Sequence, residues 1–497
     1  MRSALHRWLV RALPPVPPLA RRHRWWLVGL VAVGAVLRIV WATLAQEPQE
    51  LRDPVLYLLL GDQLADGEGY SYPGVDGGVT AYYPPGYPLL LGALIWLVGV
   101  FPGDPSAFDV AIATNVVLSV ALIPLVFALG RRLAGVRVGL VAAAVVTVWP
   151  NLVFHSGVVL TETLFLVLFV AMLLVALATP DVARHPGWRR VVATGLLLGA
   201  AGLVRPVTFV VAPLFLVLWW GDGVRRAVAK LAVVGLAAVA LVVPWTVRNA
   251  VTMDSPILLS ANFGDNFCIG NHPGATGGYR LPDACFEGLE SGERPAYEVR
   301  RQSETLDRGL TFVREHPADV VGLLGWKAYY TLSSDHDGLV VAADWGERPL
   351  FEARRMDLLE SLADGAYYAV LAAAVLGVAL LVRNRGAGER RWLFLLLTVP
   401  LQMVPPLVTF GEPRFKMPIY PVLAVAAALG VTAAWRATRG LDLTATGDDV
   451  DVDAVAIGVG PDAPAGQPAG GGDGDRHDEG DAVGPVDAAP TVGSPAG

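Results

Sequence analysis

The chain has 497 residues, of which 54% are hydrophobic and 17% charged, with a formal net charge of -7. So apolar a composition excludes an ordinary soluble enzyme and points to a polytopic membrane protein, with lipid as its main solvent and membrane rather than nucleic acid as its surroundings.

The first element is the run 25–45, WWLVGLVAVGAVLRIVWATLA, long enough to cross a hydrocarbon core of about 30 Å. Arg2, Arg7, Arg11, Arg21, Arg22 and Arg24 precede it, which holds the basic segment 1–24 in the cytoplasm. The run lacks a small-residue cleavage site and reads as a retained signal anchor. Nine further spans are expected near 107–130, 138–154, 161–178, 190–204, 206–220, 230–246, 364–382, 391–409 and 417–435, ten in all. The turns RRLAGVR, DVARHPGWRR, GDGVRRAVAK, RNRGAGERR and RATRG carry the basic residues and alternate with connections that carry few. That asymmetry puts both termini in the cytoplasm of a plasma-membrane protein. Parity then leaves 84–101 and 319–332 between ends already outside, so each is expected as an interfacial helix on the outer leaflet, with Trp and Tyr at headgroup level.

The organisation that follows is a basic segment 1–24, a membrane module 25–250, an external loop region 251–363 and C-terminal spans 364–440, ending in a tail 441–497. Within the tail Gly, Ala, Pro and Asp dominate, and disorder is expected. Its formal charge of -11, set against -7 for the whole chain, leaves +4 for the remainder. The low overall charge is therefore a property of the tail.

Between 110 and 245 nearly every ionisable group falls in a cytoplasmic turn, with Glu162 and Arg205 as the exceptions at outer span ends. Asp53 lies on the same side of the membrane. Ionisable groups near lipid are costly, so a cluster on one face is a functional candidate. Each has a plainer alternative. Asp53 precedes Pro54 and can serve as a helix N-cap; Glu162 can meet a helix dipole; Arg205 before Pro206 can anchor a turn; Arg248 can be a flanking interfacial cation. Arg38 is expected to snorkel to the interface. His155 and His272 read as ordinary polar residues at the outer surface, and no spacing suggests a metal site. Cys268 and Cys285 share the loop assigned outside, where an oxidising exterior permits a disulfide that would close the Gly-rich segment between them, with two free thiols as the alternative.

The run from Asp53 to Tyr57, then LADGEGY, TAYYPPGYPLLLGALIWLVG, VVLTETLF, GLVRP and PWTVRNAVT, resembles the GT-C glycosyltransferases of the protein O-mannosyltransferase and aminoarabinose transferase type. It covers roughly residues 25–270, with GEPRFKMPIYPVLAVAAA near the end resembling them more loosely. The resemblance implies an all-α GT-C fold and transfer of a sugar from a polyprenyl-phosphate carrier on the outer face. It also implies an acid of the first external loop as catalytic residue, here Asp53, with Glu162 matching a second acid and Arg414 a recurrent basic position.

On that footing the carboxylate would take the acceptor's proton, while Arg205, Arg248 and Arg414 are candidates for the donor phosphate. A single displacement inverts the anomeric centre. No cofactor beyond the lipid-phosphate sugar is required, and the acceptor is a lipid, glycan or protein. The sequence departs from the pattern at Pro54, where many relatives have a second acid, and at Tyr83 or Pro84, near which the aminoarabinose branch has a lysine. YPPGYP carries no ionisable group but tyrosines and is expected to shape the loop. Two competing classes remain: a transporter or flippase of lipid-linked sugars, and a non-catalytic envelope-assembly subunit. Inverted repeats would favour the first.

Overall fold

Long apolar runs and close-packed glycines determine how this chain folds. In the computed structural model the described residues are 18–73, 77–103, 105–177, 186–289, 292–346, 348–383 and 390–439. The expectations for residues 1–17, for the turn segments 178–185 and 384–389, and for the tail 441–497 lie outside the described residues.

Helix α1 (Arg21–Ala42) leads into α2 (Asp53–Asp66), a two-stranded antiparallel ribbon of β1 (Ser71–Tyr72) and β2 (Gly78–Val79), and α3 (Gly86–Gly99). There follow α4 (Ala107–Ala134), α5 (Val136–Val148), α6 (Pro150–Phe154), α7 (Glu162–Ala176) and α8 (Trp188–Val204). A 3-10 turn (Pro206–Val211) and the short α9 (Leu214–Trp219) precede the long α10 (Val224–Thr252). The second large connection holds α11 (Phe263–Gly270), α12 (Asp283–Phe286), α13 (Ala296–Glu315), α14 (Pro317–Leu332) and α15 (Asp337–Asp344). The chain then forms α16 (Ala353–Arg383), α17 (Arg390–Val408), a 3-10 turn (Pro413–Ile419) and α18 (Tyr420–Thr438).

Helix is present at each of the ten expected spans. Among the described residues, six stretches are long and apolar enough to cross a membrane: Arg21–Ala42, Ala107–Val148, Val224–Thr252, Ala353–Arg383, Arg390–Val408 and Pro413–Thr438. One of these, Ala107–Val148, is folded back on itself at Gly135, whose φ of 89° is open to glycine alone at little cost. Its arms touch so closely that a Cβ on Gly139 would lie 2.6 Å from the Phe127 carbonyl oxygen. The remaining expected spans are short for physical reasons. Trp149 is extended ahead of Pro150, which interrupts the run 138–154, and 206–220 is broken between a 3-10 turn and a helix that starts after Pro213. The expected interfacial segment 84–101 contains α3, and 319–332 lies within α14.

Glycines bring the long helices into backbone contact, the usual way helices associate in lipid. A Cβ on Gly195 would lie 2.5 Å from the Val234 oxygen and one on Gly199 2.7 Å from that of Ala238, joining α8 to α10. Gly377 and Gly430 do the same for α16 and α18, where a Cβ on Gly377 would come within 2.0 Å of the Ala426 oxygen. The apolar α7 is buried along most of its length at the centre of this packing, with Leu166, Phe169, Val170, Met172 and Leu173 fully enclosed.

Arg38 corrects one expectation. Instead of snorkelling it is fully buried, and its guanidinium donates to the Ser119 hydroxyl at 2.6 Å and to the carbonyls of Gly34, Val146 and Thr147. The snorkelling reading failed because α1 packs that face on α4 and α5. Four neutral acceptors spread the charge where water is excluded.

Candidate active site

Asp53 is the first residue of α2, where Pro54 suits the opening turn because its missing N–H has no helical partner anyway. The cap position belongs to Arg52, and no side-chain cap bond forms there. The Asp53 carboxylate is thus free of capping and turns inward. Its Oδ1 accepts from the Tyr83 hydroxyl at 2.7 Å and its Oδ2 from Arg414 at 2.8 Å. Burial pushes this carboxyl up, but the Arg414 guanidinium and the two hydrogen bonds outweigh it and hold it below the usual carboxylate range, with the charge of Arg205 adding in the same direction. A quarter of the side chain remains open to a ligand, at 26% relative exposure.

Arg414 also faces Glu412, with Nε 3.1 Å from Oε2. Burial raises the Glu412 carboxyl above its ordinary value in spite of that guanidinium. Glu162 opens α7 and is 2% exposed, and it accepts a short hydrogen bond from Arg205. Arg205 sits at the break between α8 and the following 3-10 turn, extended at φ -142°, because Pro206 disfavours helix in the residue before it. Both guanidinium carbons, of Arg205 and Arg414, lie 5.7 Å from the centre of the Phe415 ring. Three acids and two arginines therefore gather about one phenylalanine, and the arginines present forks suited to an anionic oxygen group.

Of the residues singled out from sequence, Asp53, Glu162, Arg205 and Arg414 come together. Arg248 does not join them. Its guanidinium donates to the carbonyls of Thr80 at 2.6 Å and Tyr70 at 3.0 Å and lies over the Trp245 ring at 4.7 Å, so it ties α10 to the ribbon instead of facing a phosphate. That loop is also gripped by Glu298, which accepts from the Thr80 hydroxyl and the Ala81 amide. Cys268 on α11 and Cys285 on α12 are bonded to each other, with Cα atoms 5.9 Å apart.

Several participants were not recognised in the sequence. Tyr83 was assigned to loop shaping, yet its hydroxyl holds Asp53, and the Tyr57 ring packs against it at 5.0 Å. Glu412 and Phe415 flank Arg414 in GEPRF, which is the one signal that could have found them. His155 is 1% exposed rather than superficial: Nδ1 bonds the Asn151 carbonyl at 2.8 Å and Nε2 lies 3.2 Å from Asp337. Asp335 beside it accepts from Trp149 at 2.7 Å and from the Tyr420 hydroxyl, and pairs with Lys416 at 3.0 Å.

Comparison with known proteins bears out the resemblance over part of the chain. Residues 85–247 match the family model described as dolichyl-phosphate-mannose-protein mannosyltransferase. The matched segment contains Glu162 and Arg205 but stops short of Asp53 and Arg414. No curated protein matches the chain at a significant level. Among solved structures, the Archaeoglobus fulgidus oligosaccharyltransferase in complex with Zn and sulfate is similar at a TM-score of 0.49 and 15% identity, over 84% of this chain and 50% of its own. ArnT from Cupriavidus metallidurans, bound to undecaprenyl phosphate, is similar at a TM-score of 0.38 and 16% identity, over 83% of this chain and 79% of its own. The chain spans about half the length of the archaeal enzyme. The described residues form the expected all-α architecture, with helices long and apolar enough to cross a membrane.

Proposed function

We propose that the protein is an inverting glycosyltransferase that moves a sugar from a polyprenyl phosphate to an acceptor hydroxyl at the outer face of the plasma membrane. One observation carries the reading: the Asp53 carboxylate is held ionised and partly accessible by Tyr83 and Arg414, with a second arginine, Arg205, at the same phenylalanine. The acceptor oxygen attacks the anomeric carbon, the bond from that carbon to the phosphate oxygen breaks, and the acceptor's proton passes to Asp53. Polyprenyl phosphate departs with its electron pair and is met by the arginine forks, whose hold strengthens as the negative charge grows.

The mannosyltransferase description of the matched family supports a lipid-phosphate donor. The alternating basic turns and the bridged cysteines support an outer-face site, since disulfides persist in oxidising surroundings. Purified protein offered a panel of radiolabelled polyprenyl-phosphate sugars tests the reading. Transfer of label to an acceptor, with inversion, is expected. Movement of the labelled lipid across a vesicle membrane without transfer would establish a flippase instead.

A further inference from the structure

Beside Arg414 the chain passes through Gly411, whose amide donates to the Gly277 carbonyl at 2.8 Å, and Gly411 forms a parallel bridge with Gly278. The external loop closed by Cys268 and Cys285 is thereby stitched to the segment that carries Glu412, Arg414 and Phe415. The seam needs its glycines. Gly277 has a φ of 90°, a Cβ on it would lie 2.6 Å from that of Trp326, and one on Gly411 would lie 2.2 Å from the Lys327 oxygen. Asn271 fastens the loop a second time, donating to the Val408 carbonyl at 2.9 Å and accepting from Lys327 at 3.0 Å.

The residue that follows this seam is Tyr279. Its ring packs on Phe410 at 5.1 Å, Phe410 packs on Phe415 at 5.3 Å, and Phe415 lies against both arginines. Phe410 is 2% exposed, whereas Tyr279 is 53% exposed, so the aromatic file begins at a free ring and ends at the ion cluster. Partial burial, with the carboxylates of Asp53 and Glu412 adding to it, raises its phenol above the ordinary value and keeps it neutral.

A sugar offers C–H groups on one ring face and hydroxyls around its rim. A rigidly mounted tyrosine matches that with an apolar face and a polar tip, at small conformational cost. We infer that Tyr279 is the sugar-facing wall of the donor site, the ring against which the transferred sugar stacks while the arginines hold its phosphate. This rests on the glycosyltransferase reading above and adds to it a residue that discriminates among sugars.

The test uses the full chain in lipid and measures binding and turnover separately. Tyr279→Ala is expected to weaken by about tenfold binding of whichever polyprenyl-phosphate sugar of the panel the wild type binds most tightly, to leave binding of sugar-free polyprenyl phosphate unchanged, and to alter the ranking of donor sugars by kcat/KM. Tyr279→Phe should recover most of what Tyr279→Ala loses. Because the side chain is half exposed, thermal stability should hold. Equal losses for the glycosylated and the sugar-free lipid, or no loss for either, would overturn the inference while leaving the Asp53 chemistry standing. Should the wild type transfer no sugar at all, the same pair of binding measurements still decides whether Tyr279 reads the sugar.

Discussion

Arg414 and Lys416 lie in the same 3-10 turn, and each meets a carboxylate at ordinary hydrogen-bond distance, 2.8 Å to Asp53 and 3.0 Å to Asp335. Their surroundings are opposite. The Arg414 and Asp53 side chains are 16% and 26% exposed, those of Lys416 and Asp335 both 0%. Lys416 is further fixed by the carbonyls of Ser334 and Pro413, and Asp335 by Trp149 and Tyr420. An ion pair that a ligand can reach is able to exchange one partner for a substrate group. One that is sealed can only hold its neighbours in place, and it repays its desolvation only while every bond in it is made.

The largest effect expected from this contrast is on stability. Asp335→Ala leaves the Lys416 ammonium enclosed without a carboxylate, which costs about 3–5 kcal/mol and should show as a marked fall in Tm. A Tm close to that of the wild type would mean that water reaches the pair, and the contrast would break down. Next comes Asp53→Asn. It keeps the side chain's size and Glu412 remains beside Arg414, so stability should change little while turnover falls about 100-fold or more. Near-normal turnover would remove Asp53 as the base.

A smaller effect is expected from Arg205→Lys. A lysine still gives the buried Glu162 a cation but lacks the planar fork, so donor binding, measured with the lipid-linked sugar, should weaken about tenfold with the fold retained. Loss of fold instead would place Arg205 with the sealed kind of pair. The smallest signal is the pH profile. Because Asp53 is held below the ordinary carboxylate range, the free enzyme keeps its base charged, and kcat/KM should show no acid limb from this group above about pH 4. By the same sign, the pair's contribution to stability is complete above the unfolded value of about 3.9 and is lost as pH falls through the depressed folded value. An acid limb near pH 6 would move the base to another group.

The sequence makes charges in an apolar chain conspicuous, and that is why Asp53, Glu162 and Arg205 could be singled out: each breaks a pattern that lipid enforces. Partners are harder to read than charges. Asp53 and Arg414 are separated by 361 positions, and Tyr83 lies just beyond Thr80, which Arg248 and Glu298 grip from distant parts of the chain. Arg38 and Arg248 mark the same limit from the other side. Both are arginines near expected span ends, but what surrounds each guanidinium depends on helices that pack against it from elsewhere in the chain. His155 could not be told from a surface histidine, because Asp337 belongs to a distant connection. The helices themselves were legible because their length and apolarity are local properties; the break at Pro206 was read as a span boundary, whereas Pro150 was placed inside the expected span 138–154.

The long separation between Asp53 and Arg414 has a consequence in time. At a synthesis rate of roughly 5–20 residues per second, the carboxylate leaves the ribosome about 20 to 70 seconds before the guanidinium that lowers its pKa. Through that interval Asp53 faces water or lipid headgroups with Tyr83 but without Arg414, and the loop that docks on Gly411 has no strand to meet. On the proposed reading, the nascent protein therefore inserts most of its helices with the candidate site incomplete, and the site closes only when the segment carrying Arg414 arrives.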